Sequence, residues 1–220
     1  KLLIKFPTRS RARKFLTVLN KYVKLMDDKT NQIVVSCDND DPSMLEDYVK
    51  DVVSQYDNVT LLYGDNKSKI QAINNDMGDI DFDIVLLASD DMIPQIKGYD
   101  TIIKNKMEEF YPDTDGVLWF DDGNRGDGLN TLCILGKKYY DRFGYIYHPE
   151  YKSLWCDNEF MDVSKKLNKV KYINQVIIKH EHPDCGYGDR DVIHKENYVN
   201  DSHDRDVYNK RKKINFNLWK

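Results

Sequence analysis

The chain has 220 residues, of which 40% are hydrophobic and 32% charged, a balance typical of a folded domain with a well-hydrated surface and not of a disordered chain. Its 33 lysines and arginines and 37 aspartates and glutamates give a net charge of −4, which argues against a nucleic-acid or anionic-membrane partner. No apolar run reaches the roughly 20 residues needed to cross a bilayer. The four scattered cysteines suit reduced thiols, so we expect a cytoplasmic protein with no membrane span.

The first 95 residues contain three strand and helix pairs followed by a fourth strand. The pattern predicts strands at Leu2 to Phe6, Ile33 to Cys37, Val59 to Tyr63 and, most apolar of all, Ile84 to Ala88. Ser68 is expected to cap the third helix. The second helix is expected to bury Leu45, Tyr48, Val49, Val52 and Val53. This alternation predicts an α/β fold with a Rossmann-like, mostly parallel central sheet and helices on both faces.

Residues 96–220 are less regular. The pattern predicts a helix from Tyr99 to Phe110, strands from Gly116 to Phe120 and Leu129 to Leu135, and a short helix through Lys138 and Phe143. It further predicts a helix from Trp155 to Leu167, one strand from Val170 to Ile178, and a mixed helical tail from Asp204 to Lys220. No stretch has the composition of a linker, so we expect a single domain of residues 1–220.

Polar turns follow all four strands predicted in the first half. They contain Pro7-Thr8-Arg9, Asp38 to Asp41, Gly64 to Lys67, and Ser89-Asp90-Asp91. Ligands of parallel sheets bind beyond the carboxyl ends of the strands, so the four turns are expected to share one rim and to form a nucleotide-binding half, residues 1–95. Two adjacent carboxylates repel one another unless a cation or hydrogen-bond donors lie between them. Asp90 and Asp91 therefore indicate a metal or ribose site, or alternatively a solvated turn.

This succession of turns resembles the family-2-like GT-A glycosyltransferases. Those enzymes have a Pro-Thr-Arg-type turn after the first strand, an acidic turn after the second, and an Asp-x-Asp-like motif after a buried strand. Here the corresponding segments read FPTR, CDNDD and LLASDDMIP, the last being a variant of that motif. The resemblance implies a GT-A type fold, a nucleotide-sugar donor with UDP-sugar as the default, Mn²⁺ or Mg²⁺ as cofactor, and an acceptor, expected to be a glycan, that binds to residues 96–220.

The resemblance also implies roles for individual residues. The nucleotide would be bound by side chains of the four turns, namely Pro7, Thr8, Arg9, Asp38, Asp40, Lys67, Ser89 and Asp90. Asp91 would bind the cation. His180 and His182 are further candidate metal ligands, because alternate residues of an extended segment face the same side, although one of them being a surface residue is an open alternative.

An acceptor hydroxyl has too high a pKa to attack unaided, so an inverting transferase needs a carboxylate as general base. The segment WCDNEF resembles the Glu-Asp-x-x-Leu-like segment of the family, whose Asp is the base. The resemblance therefore assigns the base to Asp157, with Glu159 as the alternative because Cys156 replaces the first Glu. Both acids would otherwise only favour a helix N-terminus. The resemblance also implies acceptor or donor-sugar contacts at Trp119, Asp121, Asp122 and the turn Gly123 to Gly128, with Trp155 and Tyr187 as further candidates; each of them is otherwise a core or loop residue.

Two other functions are alternatives to that of a metal-dependent, inverting glycosyltransferase. A nucleotidyltransferase that joins a sugar phosphate to a nucleotide usually has a glycine-rich loop soon after the first strand, whereas FPTRSRARKF contains no glycine. A non-catalytic module would use the acidic rim to bind Ca²⁺ or a protein. Such a module would tolerate the loss of Asp157, and the enzyme would not.

Overall fold

The computed structural model describes residues 1–78, 80–187 and 192–218. Its strands are β1 (Leu2–Pro7), β2 (Gln32–Asp38), β3 (Val59–Gly64), β4 (Ile84–Leu87), β5 (Met92–Pro94), β6 (Val117–Phe120), β7 (Ile134–Gly136), β8 (Val170–Ile173) and β9 (Ile178–His180). Seven of them form one sheet in the order β3-β2-β1-β4-β7-β6-β8, in which β7 runs antiparallel to both of its neighbours and the other pairs are parallel. Strands β5 and β9 form a separate antiparallel ribbon.

The helices are α1 (Ala12–Leu25), α2 (Pro42–Leu45), α3 (Asp47–Val53), α4 (Lys69–Asn74), α5 (Tyr99–Phe110), α6 (Lys137–Asp141), α7 (Cys156–Lys166), α8 (Val192–Tyr198) and α9 (Asp201–Lys213). Short 3₁₀ turns occur at Pro183–Cys185 and Asn215–Asn217. None of the helices in the described part of the chain is both long and apolar enough to span a membrane.

Side chains alternate along β1 and so build one core on each face of the sheet. Leu2, Ile4 and Phe6 belong to the core that α1, α3 and α5 cover. Leu3 belongs to the core on the opposite face, where α4, α6, α7 and α9 contribute apolar side chains. Strand β4 lies between β1 and β7 with all four of its residues buried, as its unbroken apolar sequence predicts. The predicted α/β fold with a mostly parallel sheet and helices on both faces is confirmed.

Some predicted elements differ from the structure. The second helix is broken at Glu46, whose ψ of 137° is extended, and the break leaves Leu45 and Tyr48 exposed while Met44 is buried instead. The strand predicted from Leu129 to Leu135 is only the short β7. Of the residues before it, Leu129 and Thr131 line a cavity, and Leu132 and Cys133 are buried in the core.

The strand predicted from Val170 to Ile178 is in fact two. Its first part pairs with β6 in the large sheet, and its last residues pair with β5 in the ribbon. The tail helix α9 begins at Asp201, three positions before its predicted start, and residues 219–220 of that prediction lie outside the described residues.

Candidate active site

A cavity of about 900 Å³ lies where the turns after β1, β2, β3 and β4 meet. Its volume is near the upper end of the roughly 300–1,000 Å³ typical of small-molecule sites. All but one of the predicted site residues line it, namely Pro7, Thr8, Arg9, Asp38, Asp40, Lys67, Ser89, Asp90, Asp91, Asp157, His180 and His182. The opposite wall comes from the loop after β6, the start of α7, and α8 and α9.

Hydrogen bonds between charged side chains connect the turn after β1 to the turn after β2. Arg9 donates to Asp38 at 2.7 Å and to Asp40 at 2.5 Å, and Asn66 from the third turn donates to the other oxygen of Asp38 at 2.9 Å. The buried carboxylate of Asp41 accepts from the backbone N–H of Ser10 at 2.6 Å and also caps α2. These contacts hold the turns in one geometry, because each acid bonds to a segment other than its own.

Thr8 lies in the same wall, and its hydroxyl has no hydrogen-bond partner among the described residues. The residue is 7% exposed, its backbone N–H bonds to Ser36, and its Oγ1 makes no hydrogen bond with any described residue. A buried hydroxyl without a partner costs about 1–3 kcal/mol, so a ligand that bonds to it would recover this free energy.

The paired acids after β4 have different surroundings. Asp90 is 4% exposed and bonds to Arg11 at 2.8 Å. Burial raises the pKa of Asp90, although the positive charge of Arg11 acts to lower it. Burial acts in the same direction on Asp91, but contacts with His180 and with the Ser89 hydroxyl outweigh it and hold the pKa of Asp91 well below its usual range. Asp91 is therefore ionised at neutral pH, as a metal ligand must be.

The β5–β9 ribbon explains how His180 reaches Asp91. In its register Met92 pairs with His180, and the backbone N–H of Glu181 donates to the Asp91 carbonyl at 2.7 Å. The imidazole Nε2 then lies 3.6 Å from the Asp91 carboxylate. The rings of His180 and His182 are 5.4 Å apart, centre to centre.

These donors fit a cation that takes most of its ligands from a substrate. Within the described residues, no group of three or more His, Cys, Asp or Glu side chains is arranged to hold a metal by itself. Asp91 and His180 provide one carboxylate and one imidazole on the same wall. Mg²⁺ is commonly bound by one or two carboxylates together with substrate phosphates, so two protein ligands suffice for such a site.

Asp157 lies across the cavity at the start of α7. Burial raises the pKa of Asp157, while the backbone N–H of Asn158, at 2.9 Å, and the charges of Lys69 and Arg125 oppose the shift. The Lys69 ammonium acts on the pKa of Asp91 as well. Both acids therefore lie within electrostatic range of one lysine, on the side of the cavity formed by α4.

Glu159, the alternative base, points elsewhere. It is 5% exposed and bonds to Arg211 through both oxygens, at 2.7 and 2.8 Å, while the Tyr151 hydroxyl donates to it at 2.7 Å. It borders a separate cavity of about 20 Å³ and does not line the large one. The structure therefore favours Asp157 over Glu159 as the candidate base, because the Glu159 carboxylate is bonded to Arg211 and does not line the large cavity.

Trp119 and Asp122, two of the candidates for sugar contacts, have structural contacts instead. Trp119 is 3% exposed, packs edge-on against Tyr172, and is absent from the described wall of the cavity. Asp122 is 2% exposed and organises the loop after β6, accepting from Asn124, Arg125 and Thr131. Trp155 does line the cavity, although its indole N–H already donates to Asp201 at 2.9 Å.

Sequence reasoning missed several residues of the wall. Asn66 and Arg11 lie beside residues that were singled out, and both bond to predicted site acids. Lys69 follows the predicted cap Ser68, so its place at the start of a helix near the rim was a usable signal. No local pattern indicates Ser153 or Asp201, because they reach the cavity through tertiary packing, whereas Arg125 lies in the turn Gly123 to Gly128 that the resemblance singled out.

No protein-family model and no characterised protein sequence matches the chain. Solved structures do match. The mannosyltransferase PcManGT from Pyrobaculum calidifontis, in complex with GDP-Man and Mn²⁺, aligns with 84% of this chain at a TM-score of 0.65 and 14% identity. The chain has the GT-A glycosyltransferase fold. Its seven-stranded sheet is thus a GT-A sheet, and its cavity lies at the carboxyl ends of the GT-A strands.

A second set of matches has the same GT-A fold. S. aureus TarS 1–349 aligns with 81% of this chain, at a TM-score of 0.62 and 17% identity for the complex with UDP-GlcNAc and at 0.63 and 16% for the complex with UDP. The chain spans 58% of the mannosyltransferase and 58–60% of these TarS structures. At such low identity the likeness is one of fold.

Proposed function

We propose that the protein is a metal-dependent, inverting glycosyltransferase that moves a sugar from a nucleotide-sugar to an acceptor hydroxyl. One observation carries the proposal: acids and bases from four strand ends and from the start of α7 line a single cavity. The GT-A fold supports the same conclusion, since the matching structures hold GDP-Man with Mn²⁺, UDP, or UDP-GlcNAc.

The nucleotide is bound by the half of the domain formed by residues 1–95. At neighbouring strand ends, the Thr8 hydroxyl, which has no partner among the described residues, can donate or accept a hydrogen bond, and the Asp38 carboxylate can accept one. Arg9 and Asn66 each occupy one bond to Asp38, but a carboxylate has about four lone-pair sites and can still accept from a ribose or base. Lys67 contributes a positive charge on the same wall.

Asp91 and His180 hold Mn²⁺ or Mg²⁺, with His182 on the same wall as a further candidate ligand. The cation, when bound, offsets the negative charge that develops on the departing nucleoside diphosphate. The low pKa of Asp91 keeps this carboxylate charged for that purpose.

Asp157 takes the proton from the acceptor hydroxyl. It lies on the wall opposite the nucleotide turns, so an acceptor glycan that enters along residues 96–220 presents its hydroxyl to this carboxylate. Lys69 lies within electrostatic range of Asp157 and Asp91; its charge opposes the burial that raises the pKa of Asp157 and adds to the contacts that lower the pKa of Asp91.

A donor-hydrolysis screen tests the proposal. Wild type is incubated with UDP-glucose, UDP-GlcNAc, UDP-galactose and GDP-mannose in Mn²⁺, and the released UDP or GDP is measured. We expect release from at least one donor, and a loss of about 100-fold or more in Asp91→Asn and Asp157→Asn, since a general base contributes roughly 10²–10⁴-fold.

Asp162→Asn is the matched control, because Asp162 lies on α7 but bonds to Tyr208 at 2.7 Å, away from the cavity. Its turnover should stay within a few-fold of wild type. Failure to release a nucleoside diphosphate from any donor, or full activity in Asp157→Asn, contradicts the proposal.

A further inference from the structure

The carboxylate of Asp204 shapes the loop that leads into α7. Asp204 is fully buried on α9, and its two oxygens accept from the backbone N–H groups of Lys152, Ser153 and Leu154 at 2.8–2.9 Å. Three consecutive N–H groups converge on one acid, with His203 as a further partner at 2.9 Å. The Asp204 side chain therefore anchors this loop through its backbone N–H groups.

Helix α9 also bonds to the chain on both sides of Asp157. Asp201 accepts from the Trp155 indole at 2.9 Å, and Tyr208 donates to Asp162 at 2.7 Å. Trp155 itself has a φ of 61°, a left-handed conformation that side-chain-bearing residues rarely adopt. Such a conformation persists where surrounding contacts over-determine it, which these bonds from α9 do.

Ser153, at the centre of the anchored loop, has a hydroxyl that nothing in the described protein satisfies. The residue is 3% exposed, its Oγ has no hydrogen-bond partner among described residues, and it lies in the wall of the large cavity. Its backbone is held by Asp204, so the loop presents the hydroxyl at a fixed place. A buried hydroxyl at a cavity wall that lacks a protein partner is satisfied by water or by a ligand that fills the cavity.

The position of the loop indicates which part of a ligand this hydroxyl meets. The Lys152 carbonyl accepts from the backbone N–H of Ile70 at 3.3 Å, so the loop lies against the first turn of α4. The neighbouring Lys69 is the residue whose charge reaches both Asp91 and Asp157. The loop thus borders the space between the candidate cation site and the candidate base, where the transferred sugar of a nucleotide-sugar would lie.

We propose that α9 is a working part of the active site: Asp204 is a positioning residue that holds the loop of residues 152–154, and the Ser153 hydroxyl binds a hydroxyl group of the transferred sugar. This inference rests on the proposed function. Ser153 lies outside the sequence motifs. Its contact with the sugar would make the protein bind a nucleotide-sugar more tightly than the bare nucleoside diphosphate.

Ser153→Ala tests the sugar contact directly. Titration calorimetry in Mn²⁺ compares UDP with UDP-GlcNAc and GDP with GDP-mannose. We expect Ser153→Ala to weaken binding of the nucleotide-sugar about tenfold, as for the loss of one hydrogen bond, and to leave the diphosphate unchanged. Ser164→Ala is the matched control: Ser164 is also buried, but its hydroxyl donates to the Met161 carbonyl away from the cavity, so both affinities should stay as in wild type.

Asp204→Asn tests the positioning role. Asparagine keeps the shape but turns an N–H₂ group toward backbone N–H groups, so the loop should lose its geometry. We expect the preference for nucleotide-sugar over diphosphate to fall as in Ser153→Ala, whereas Asp162→Asn, which loses the ion pair with Lys212 of α9, keeps that preference. A lower melting temperature with an unchanged preference would mean that Asp204 is only structural, and would overturn its role. Should Asp204→Asn fail to fold, Ser153→Ala decides the question.

The remaining outcomes separate this inference from the proposed function. If wild type binds none of the four compounds, the proposed function fails and this inference with it. If wild type binds a nucleotide-sugar and Ser153→Ala binds it equally well, or loses the diphosphate to the same extent, this inference alone is overturned.

Discussion

Asp157 carries a prediction on pH dependence. A general base acts only when it is deprotonated, so turnover falls as the pH drops through its pKa. Burial raises the pKa of Asp157, and the charge of Lys69 opposes that shift. The acid limb of kcat/KM for donor hydrolysis should therefore lie above that of an exposed aspartate, and Lys69→Met should move it to still higher pH. An acid limb that stays in place or moves down in Lys69→Met would contradict the assignment.

Lys5 is a buried lysine in the centre of β1, close to Asp76 at 3.7 Å. Burial lowers the pKa of Lys5 from 10.5 to about 8. Between these values the unfolded chain binds a proton that the folded protein has released, so the free energy of unfolding rises with pH. Relative to Lys5→Met, wild type should gain roughly 3 kcal/mol between pH 8 and 10.5. Urea unfolding of both proteins measures this, and a constant difference across that range would refute it.

At the scale of elements, the pair Glu159–Arg211 joins α7 to α9. Both side chains are buried and share two hydrogen bonds. Removing one partner leaves an uncompensated buried charge, so Glu159→Met should cost about 3–5 kcal/mol, and Glu159→Met with Arg211→Met should recover much of that. Urea unfolding gives both values. At temperatures where Glu159→Met is folded, its donor hydrolysis should match wild type. A loss as large as that of Asp157→Asn would restore Glu159 as the base.

Elements with a strong local signal could be predicted from the sequence. Strand β4 is apolar throughout and lies at the centre of the sheet, and Ser68 caps α4 by accepting from Gln71. Helix α5 has its predicted bounds, Tyr99–Phe110. Where apolar residues continued across a break, prediction was wrong: apolar side chains recur from Val170 to Ile178, so no change in the sequence pattern marks the point at which the chain leaves one sheet for another.

At the scale of the whole molecule, the turns that form one rim of the large cavity could be predicted from the sequence. The opposite wall of the cavity could not. The carboxyl ends of parallel strands converge by geometry, so turns distant in sequence could be placed together before any coordinates. The contribution of α9 depends on bonds such as that from Ser153 to Asp204, which are 51 positions apart in the chain. A single acid in a polar helix has no local pattern that distinguishes this role from a solvated position.

The central claim is that Asp91 holds a cation to which a nucleoside diphosphate binds. Thermal unfolding of wild type and Asp91→Asn with UDP or GDP, each in Mn²⁺ or in EDTA, tests it most directly. A ligand at 100 times its Kd stabilises the folded state by about 2.7 kcal/mol, which for a chain of this length is a rise in Tm of several degrees. We predict that rise for wild type only when nucleotide and Mn²⁺ are both present, and its loss in Asp91→Asn. No rise with either nucleotide, or an equal rise in EDTA or in Asp91→Asn, would contradict the account.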